Sequence, residues 1–172
     1  TSEGVCGDYY DVLPSRVDRI SFILADVAGK GMTSLVIMVM IRAIMRLIVN
    51  TTQSASTILS WVNRGIALES NIDHFASLAL VNYDSTTKKI QYATAGSTPI
   101  LYYNSKTDEI TQISKVTEPI GVEKNTTYTD NELEVNSGDI IVMYSDGVAE
   151  SVNIAGRQYS KNRLIQIVTE NK

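Results

Sequence analysis

One cysteine and one histidine are all that these 172 residues hold of the side chains behind zinc sites and His- or Cys-driven hydrolysis. Cys6 has no partner for an internal disulfide, which fits a reducing compartment. With nothing basic beside it to lower its pKa, it reads as a small buried residue rather than a redox group. His74 alone cannot build a His-rich zinc site or a serine-hydrolase triad. It reads as a surface or turn histidine before a strand, with support of a neighbouring site as the rarer role. Positive charge is in deficit as well: a net charge of −4 argues against a general nucleic-acid surface. Long uncharged apolar runs are missing. The one membrane suspect, residues 32–49, carries Arg42 and Arg46 on one helix face, costly in lipid, so a buried core helix is expected. Internal repeats, low-complexity tracts and linkers are absent too. The length suits one domain spanning 1–172. Thr1 in place of Met, with no signal peptide, reads as a segment cut from a longer protein.

What is present reads as α+β. A buried strand over Ile20–Asp26 ends at a Gly-rich turn, and a strongly apolar helix follows over about 32–50. Ser54 is placed to cap a second helix over about 55–69, with Ile58, Leu59, Val62 and Ile66 on one side. Trp61 on that helix reads as core or edge packing. The remainder is mainly β: a hairpin from 74–84 and 89–96, a second from 99–104 and 109–114, and a third from 128–135 and 139–147. Ser137-Gly138 is the expected turn of the third, with Asp139 as its turn acid. A short amphipathic helix over 161–170 closes the chain. Helices and hairpins grouped in this way predict layers rather than βαβ alternation.

The chemistry-bearing residues are acids. "ILADVAGKGMTS" (23–34) cannot be a P-loop, because Gly31 follows Gly29-Lys30 where a hydroxyl is needed and Leu24 stands where the first Gly should be. What remains is an acid, Asp26, at the end of a buried strand, followed by glycines that permit close backbone approach. Two further corners resemble it: "VCGDYYD" (5–11), with Asp8 and Asp11, and "IIVMYSDGVAE" (140–150), with Asp146. Three such corners without His or Cys favour a hard cation such as Mg²⁺ or Mn²⁺. Each is equally a turn signal, and the residues alone leave both readings open.

"GDYYD" (7–11), "ADVAGKGMTS" (25–34), "PIG" (119–121) and "GDIIVMYSDGVAES" (138–151) stand in the order found in bacterial metal-dependent serine/threonine phosphatases of the PPM (type 2C) class. The SpoIIE/RsbU-like sigma-factor regulatory branch is the one they resemble. The central "HFASLALVNYD…IQYATAGSTPILYY" is similar to that family too, so the resemblance covers nearly the whole chain. It implies an α-β-β-α layered fold, with two antiparallel sheets packed as a β-sandwich and two Mn²⁺ or Mg²⁺ ions at one end. Asp8 would ligate one ion, Asp26 would bridge both, the Val27 carbonyl would add a ligand, and Asp146 would hold the second ion. Metal-activated water would hydrolyse phosphoserine or phosphothreonine on a regulatory protein of the anti-anti-sigma type, with no protein nucleophile. Lys30 would meet the phosphate or be a solvent-facing turn residue. Asp11 would orient a metal water or cap a turn, and Gly147 would support the ligands or contact the phosphate. The branch further implies a cytoplasmic domain making no membrane contact, an N-terminal sensory segment and homodimerisation.

Three departures accompany the resemblance. Cys6-Gly7-Asp8 replaces the usual Gly-Gly-Asp, and Ala95-Gly96-Ser97 replaces Ala-Gly-His. The family's terminal Asp-Asp-x-Thr strand, one acid of which completes the second ion's shell, does not occur before Lys172, so the C-terminal strand is expected to be missing. These departures keep a second reading alive, a weak or inactive phosphatase-like module that binds a partner. A nucleotide cyclase, also a two-metal enzyme, would need βαββαβ order, and the run of consecutive hairpins disagrees.

Overall fold

Ile23, Ala25 and Val27 are buried, while Phe22, Leu24 and Asp26 are half-buried on the opposite face of the same strand. A strand with both faces engaged belongs in the middle of a layered fold. The computed structural model describes residues 7–29, 31–51, 53–67 and 74–172. In chain order its elements are β1 (Asp8–Arg16), β2 (Arg19–Val27), α1 (Met32–Ile48), α2 (Ala55–Ala67), β3 (Ala76–Asp84) and β4 (Lys89–Ala95). They continue with β5 (Ile100–Asn104), β6 (Glu109–Gln112), β7 (Asn131–Glu134), β8 (Ile140–Met143), α3 (Asp146–Ala149) and α4 (Ser160–Glu170).

Among the described residues the strands form two antiparallel sheets, ordered β1-β2-β3-β4-β7 and β6-β5-β8. One face of the larger sheet packs on α1 and α2 through Ile23, Ala25, Ile37, Ile41, Met45, Ile58 and Leu59. Each large side chain removed from water there contributes about 1.5–3 kcal/mol. The other face meets the smaller sheet through Val81, Ile90, Tyr92, Ile100, Phe22, Ile141 and Met143. On the outer side of the smaller sheet, Leu101 and Tyr103 are buried although they stand outside both apolar clusters. Helix α4 runs along that side: Lys161 bonds Gln112 at one end of β6, and Lys172 pairs with Asp108 and sits over the Tyr103 ring at the other. The order of layers is therefore helices, sheet, sheet, helix.

Both helices begin where the sequence predicts, but α1 is less buried than the expected core helix. The Thr57 N–H donates to Ser54 Oγ at 3.4 Å, satisfying one otherwise unpaired donor of the first turn. The expected end of α2 beyond Ala67 lies outside the described residues. Helix α1 buries Ser34, Ile37, Ile41 and Met45 but leaves Met32, Val36, Val39 and Leu47 exposed. Its all-round apolar pattern is thus only half used. No helix among the described residues is long and apolar enough to cross a membrane. Trp61 sits on the edge of α2, partly exposed.

Two expectations need correction. Residues 128–135 and 139–147 do not form a hairpin: β7 pairs with β4 in the larger sheet, and β8 pairs with β5 in the smaller one. The turn at Ser137-Gly138 carries the chain from one sheet to the other. Asp139 is accordingly a clamp rather than a hairpin turn acid. Its carboxylate accepts from the Ser105 N–H and Oγ, the Asn136 N–H and the Tyr102 hydroxyl. Burial alone would raise its pKa, but these donors outweigh burial and hold it well below the usual carboxylate range.

Candidate metal and phosphoryl site

Asp8 opens β1 and Asp26 lies one residue from the end of β2, and the antiparallel register sets them directly opposite each other. Residues facing each other across antiparallel strands have Cβ atoms roughly 5 Å apart. The pairing of β1 with β2 fixes this approach, so the two carboxylates meet whether or not their charges agree. The third acid arrives from the other sheet. Strand β8 delivers Tyr144 and Ser145, and Asp146 starts the four-residue α3. The Ser145 hydroxyl donates to Asp8 Oδ2 at 2.8 Å, which ties the end of β8 to the start of β1.

Asp26 is the centre of the group. Burial pushes its carboxyl up, the nearby charges of Asp8 and then Asp146 push it further, and both neighbours stand within hydrogen-bonding reach; the result is a pKa of about 7. Asp26 therefore keeps its proton until near neutral pH. Oxygen donors with crowded negative charge and no His or Cys suit Mg²⁺ or Mn²⁺. Among the described residues, however, no three His, Cys, Asp or Glu side chains are already set as a ready cage for an ion. The donor chemistry fits a hard cation; the closed ligand shell is not preformed.

Small residues keep the corner tight. A Cβ on Gly7 would lie 2.7 Å from the Val27 carbonyl oxygen, so the residue before Asp8 must be glycine for β1 to reach its position. A Cβ on Gly147 would come 3.8 Å from Asp8 Oδ2, ordinary contact that leaves space beside the acids. Gly96, at φ 73°, brings its backbone onto β3, where a Cβ would stand 2.3 Å from Ser77 Oγ. Ser77 faces Asp26 across the β2–β3 register, and the Ser97 N–H donates to Ser77 Oγ at 3.2 Å. These groups line a cavity of about 370 Å³ next to Asp26 and Asp146, together with Thr98 and Glu150. Thr98 Oγ1 is buried there and has no hydrogen-bond partner among the described residues.

The other predicted residues sort by strand parity. Asp11 lies three positions after Asp8 and so faces the opposite side of β1, towards α1. There it accepts from the Tyr9 hydroxyl at 2.9 Å and from Arg46 Nη2 at 2.6 Å. Burial works against the charged form, but Tyr9 and Arg46 outweigh it and lower the Asp11 pKa. Neither expected role, orienting a metal water or capping a turn, describes this contact; Asp11 anchors α1 to the edge strand. Lys30 and Cys6 lie outside the described residues. His74 is half-buried and packs under the turn that follows Asp26: a Cβ on Gly29 would sit 3.1 Å from its ring. Its Nδ1 is buried without a hydrogen-bond partner among the described residues. Two residues of this corner escaped the sequence reading, Ser145 and Ser77. Ser145 was legible as the residue before an Asp-Gly corner, whereas Ser77 needed the strand register.

The "PIG" stretch is a brace. Ile120 exchanges both backbone hydrogen bonds with Ala76, and the buried Asn63 of α2 accepts from the Gly121 N–H at 2.8 Å and donates to the Glu123 carbonyl at 2.8 Å. The start of β3, and with it Ser77, is thereby fixed against the helical layer.

Comparison with known proteins gives this arrangement relatives. Over 146 residues the chain is 31% identical to the phosphoserine phosphatase RsbU of Bacillus subtilis, covering 84% of this chain and 43% of that protein. Its fold superimposes with a TM-score of 0.73 on the PP2C phosphatase domain of Bacillus subtilis SpoIIE, at 19% identity over 86% of this chain and 43% of that one. A magnesium complex of RsbX gives a TM-score of 0.74 at 13% identity, covering 98% of this chain and 81% of that one. The chain spans less than half the length of the curated relatives it matches. The model of one family, Stage II sporulation protein E (SpoIIE), matches residues 16–172, and the chain belongs to that family.

Proposed function

We propose that the chain is the catalytic part of a divalent-metal-dependent protein phosphatase acting on phosphoserine or phosphothreonine of a regulatory protein of the anti-anti-sigma type. The observation that carries this reading is Asp26, crowded between Asp8 and Asp146 at the rim of the sandwich, with a carboxyl that gives up its proton only near pH 7. Similarity to a phosphoserine phosphatase supports it.

Asp8, Asp26, Asp146 and the Val27 carbonyl would hold two Mn²⁺ or Mg²⁺ ions. When bound, such ions supply activated water and neutralise charge on the phosphoryl oxygens. The rest of the work falls to the chain. Ser145 fixes the Asp8 carboxylate through Oδ2. Asp26 must release its proton before it can ligate, so metal affinity rises with pH. Ser77, Ser97 and Thr98 line the adjoining cavity, and the Thr98 hydroxyl, without a hydrogen-bond partner among the described residues, would donate to a phosphoryl or seryl oxygen. A regulatory segment N-terminal to this chain, a cytoplasmic setting and a homodimeric assembly go with the reading.

One observation favours a second reading, a partner-binding module without turnover: the acids are not set as a finished cage. Turnover decides between them. The full-length protein should release phosphate from p-nitrophenyl phosphate and from phosphoserine proteins when Mn²⁺ is added, and Asp26→Ala should reduce this at least a hundredfold. No release at any Mn²⁺ concentration would leave the second reading standing.

A further inference from the structure

Directly after the acid-lined cavity the charge of the chain changes sign. Residues 151–169 hold Arg157, Lys161 and Arg163 and no acid, in a chain whose net charge is −4. The first part of this segment is a hydrogen-bonded hairpin. Val152 bridges Gln158, the Tyr159 N–H donates to the Ser151 carbonyl at 2.7 Å, and the Asn153 side chain accepts from the Ala155 and Arg157 N–H groups at 3.0 and 2.9 Å. Its tip residue, Ile154, is fully exposed. Arg157 and Arg163 border a cleft of about 660 Å³ together with Asn153 and Tyr159. Among the described residues neither arginine pairs with a carboxylate; Arg163 reaches only the Gln166 amide. The cleft adjoins the site, since Glu150 lines the acid cavity and Ser151, the next residue, lines the cleft.

We propose that this cleft docks an acidic segment of the phosphoprotein substrate, with Arg157 and Arg163 gripping its carboxylates while the phosphorylated residue enters the neighbouring cavity. The inference rests on the phosphatase reading. Charge complementarity identifies the occupant: two arginines without carboxylate partners, on a preformed hairpin, beside a site whose own acids repel anionic partners. Arginine suits the task because its planar fork holds carboxylates in a fixed geometry. Rim contacts of this type act mainly on specificity and on the rate of encounter.

The test uses the full-length protein and two fluorescent phosphoserine peptides, one with four glutamates on one flank and the other with four glutamines there. Fluorescence anisotropy should show the glutamate peptide binding about five- to tenfold more tightly at low salt, as expected for two exposed charge pairs. The preference should shrink in 0.3 M NaCl and vanish in the double variant Arg157→Glu/Arg163→Glu. Turnover of p-nitrophenyl phosphate, which has no flank, should be unchanged by the double variant. Equal binding of the two peptides by the unaltered protein, or a preference that survives the double reversal, overturns the proposal. A failure of p-nitrophenyl phosphate turnover in the unaltered protein falls instead on the phosphatase reading, because the anisotropy comparison needs no catalysis.

Discussion

Replacing Asp26 with asparagine should make the metal-free protein more stable while destroying its proposed activity. Burial and the charges of Asp8 and Asp146 carry the Asp26 carboxyl from an ordinary 3.8 to about 7. Below about pH 4 the group is neutral in the folded and unfolded chain alike, so its contribution is fully favourable. Between about 4 and 7 the unfolded chain releases the proton and the folded chain keeps it, so stability falls as pH rises; above about 7 the loss is complete. Unscreened, a change of this size is worth about 4 kcal/mol. Asp26 is only half-buried, and water reaching the carboxylates reduces this to roughly 1–2 kcal/mol. For a chain of this size that corresponds to a rise in Tm of roughly 3–6 °C. The assay is thermal unfolding in EDTA at pH 4.5 and pH 8, with Asp26→Asn beside the unaltered protein. The variant should be nearly equal at the lower pH and ahead at the higher. An asparagine variant no more stable at pH 8, or one whose advantage is the same at both pH values, would refute the idea that these acids crowd one another.

Three further outcomes follow from particular contacts. Ser145→Ala removes the hydroxyl on Asp8 Oδ2 and should weaken Mn²⁺ activation about tenfold, as loss of a ligand-orienting partner typically does, with Tm nearly unchanged; a titration of activity against Mn²⁺ reads it. Gly7→Ala drives a methyl into the Val27 carbonyl and should cost about 1–3 kcal/mol in denaturant unfolding, whereas a loss below 0.5 kcal/mol would mean that the corner has slack. Asp11→Asn should leave turnover within twofold and lower the Tm slightly by weakening the Arg46 contact; a hundredfold loss of turnover would return Asp11 to the site.

Much of this was readable from residue order because strand parity and corner chemistry are local. Asp26 ends an apolar strand, and Asp146 follows another into a glycine turn. Asp8 sits after a glycine that now has a steric reason, the Val27 carbonyl. What escaped was non-local. Strand β1 is not among the strands expected from the sequence; it is an edge strand whose register shifts beside Pro14, a position where proline is tolerated. The turn at Ser137-Gly138 has hairpin composition, but the partners of β7 and β8 lie some 40 residues back in both cases, and no turn residue encodes that choice. Asp11 was misplaced although parity alone sets it opposite Asp8. The identity of Ser77 as the neighbour of Asp26 required the pairing of β2 with β3.

Asp8 and Asp26 ride on the larger sheet, whereas Asp146 stands just beyond a strand of the smaller one, at the start of α3. The two sheets are then like the jaws of a caliper: a displacement of one over the other by about an ångström would alter the gap between the three proposed ligands without changing any of them. Met143 and Phe22, packed between the jaws, set the gauge. Met143→Ala should therefore shift the Mn²⁺ requirement while the protein is still folded, and an unchanged requirement would show that the jaws are locked by something other than their shared packing.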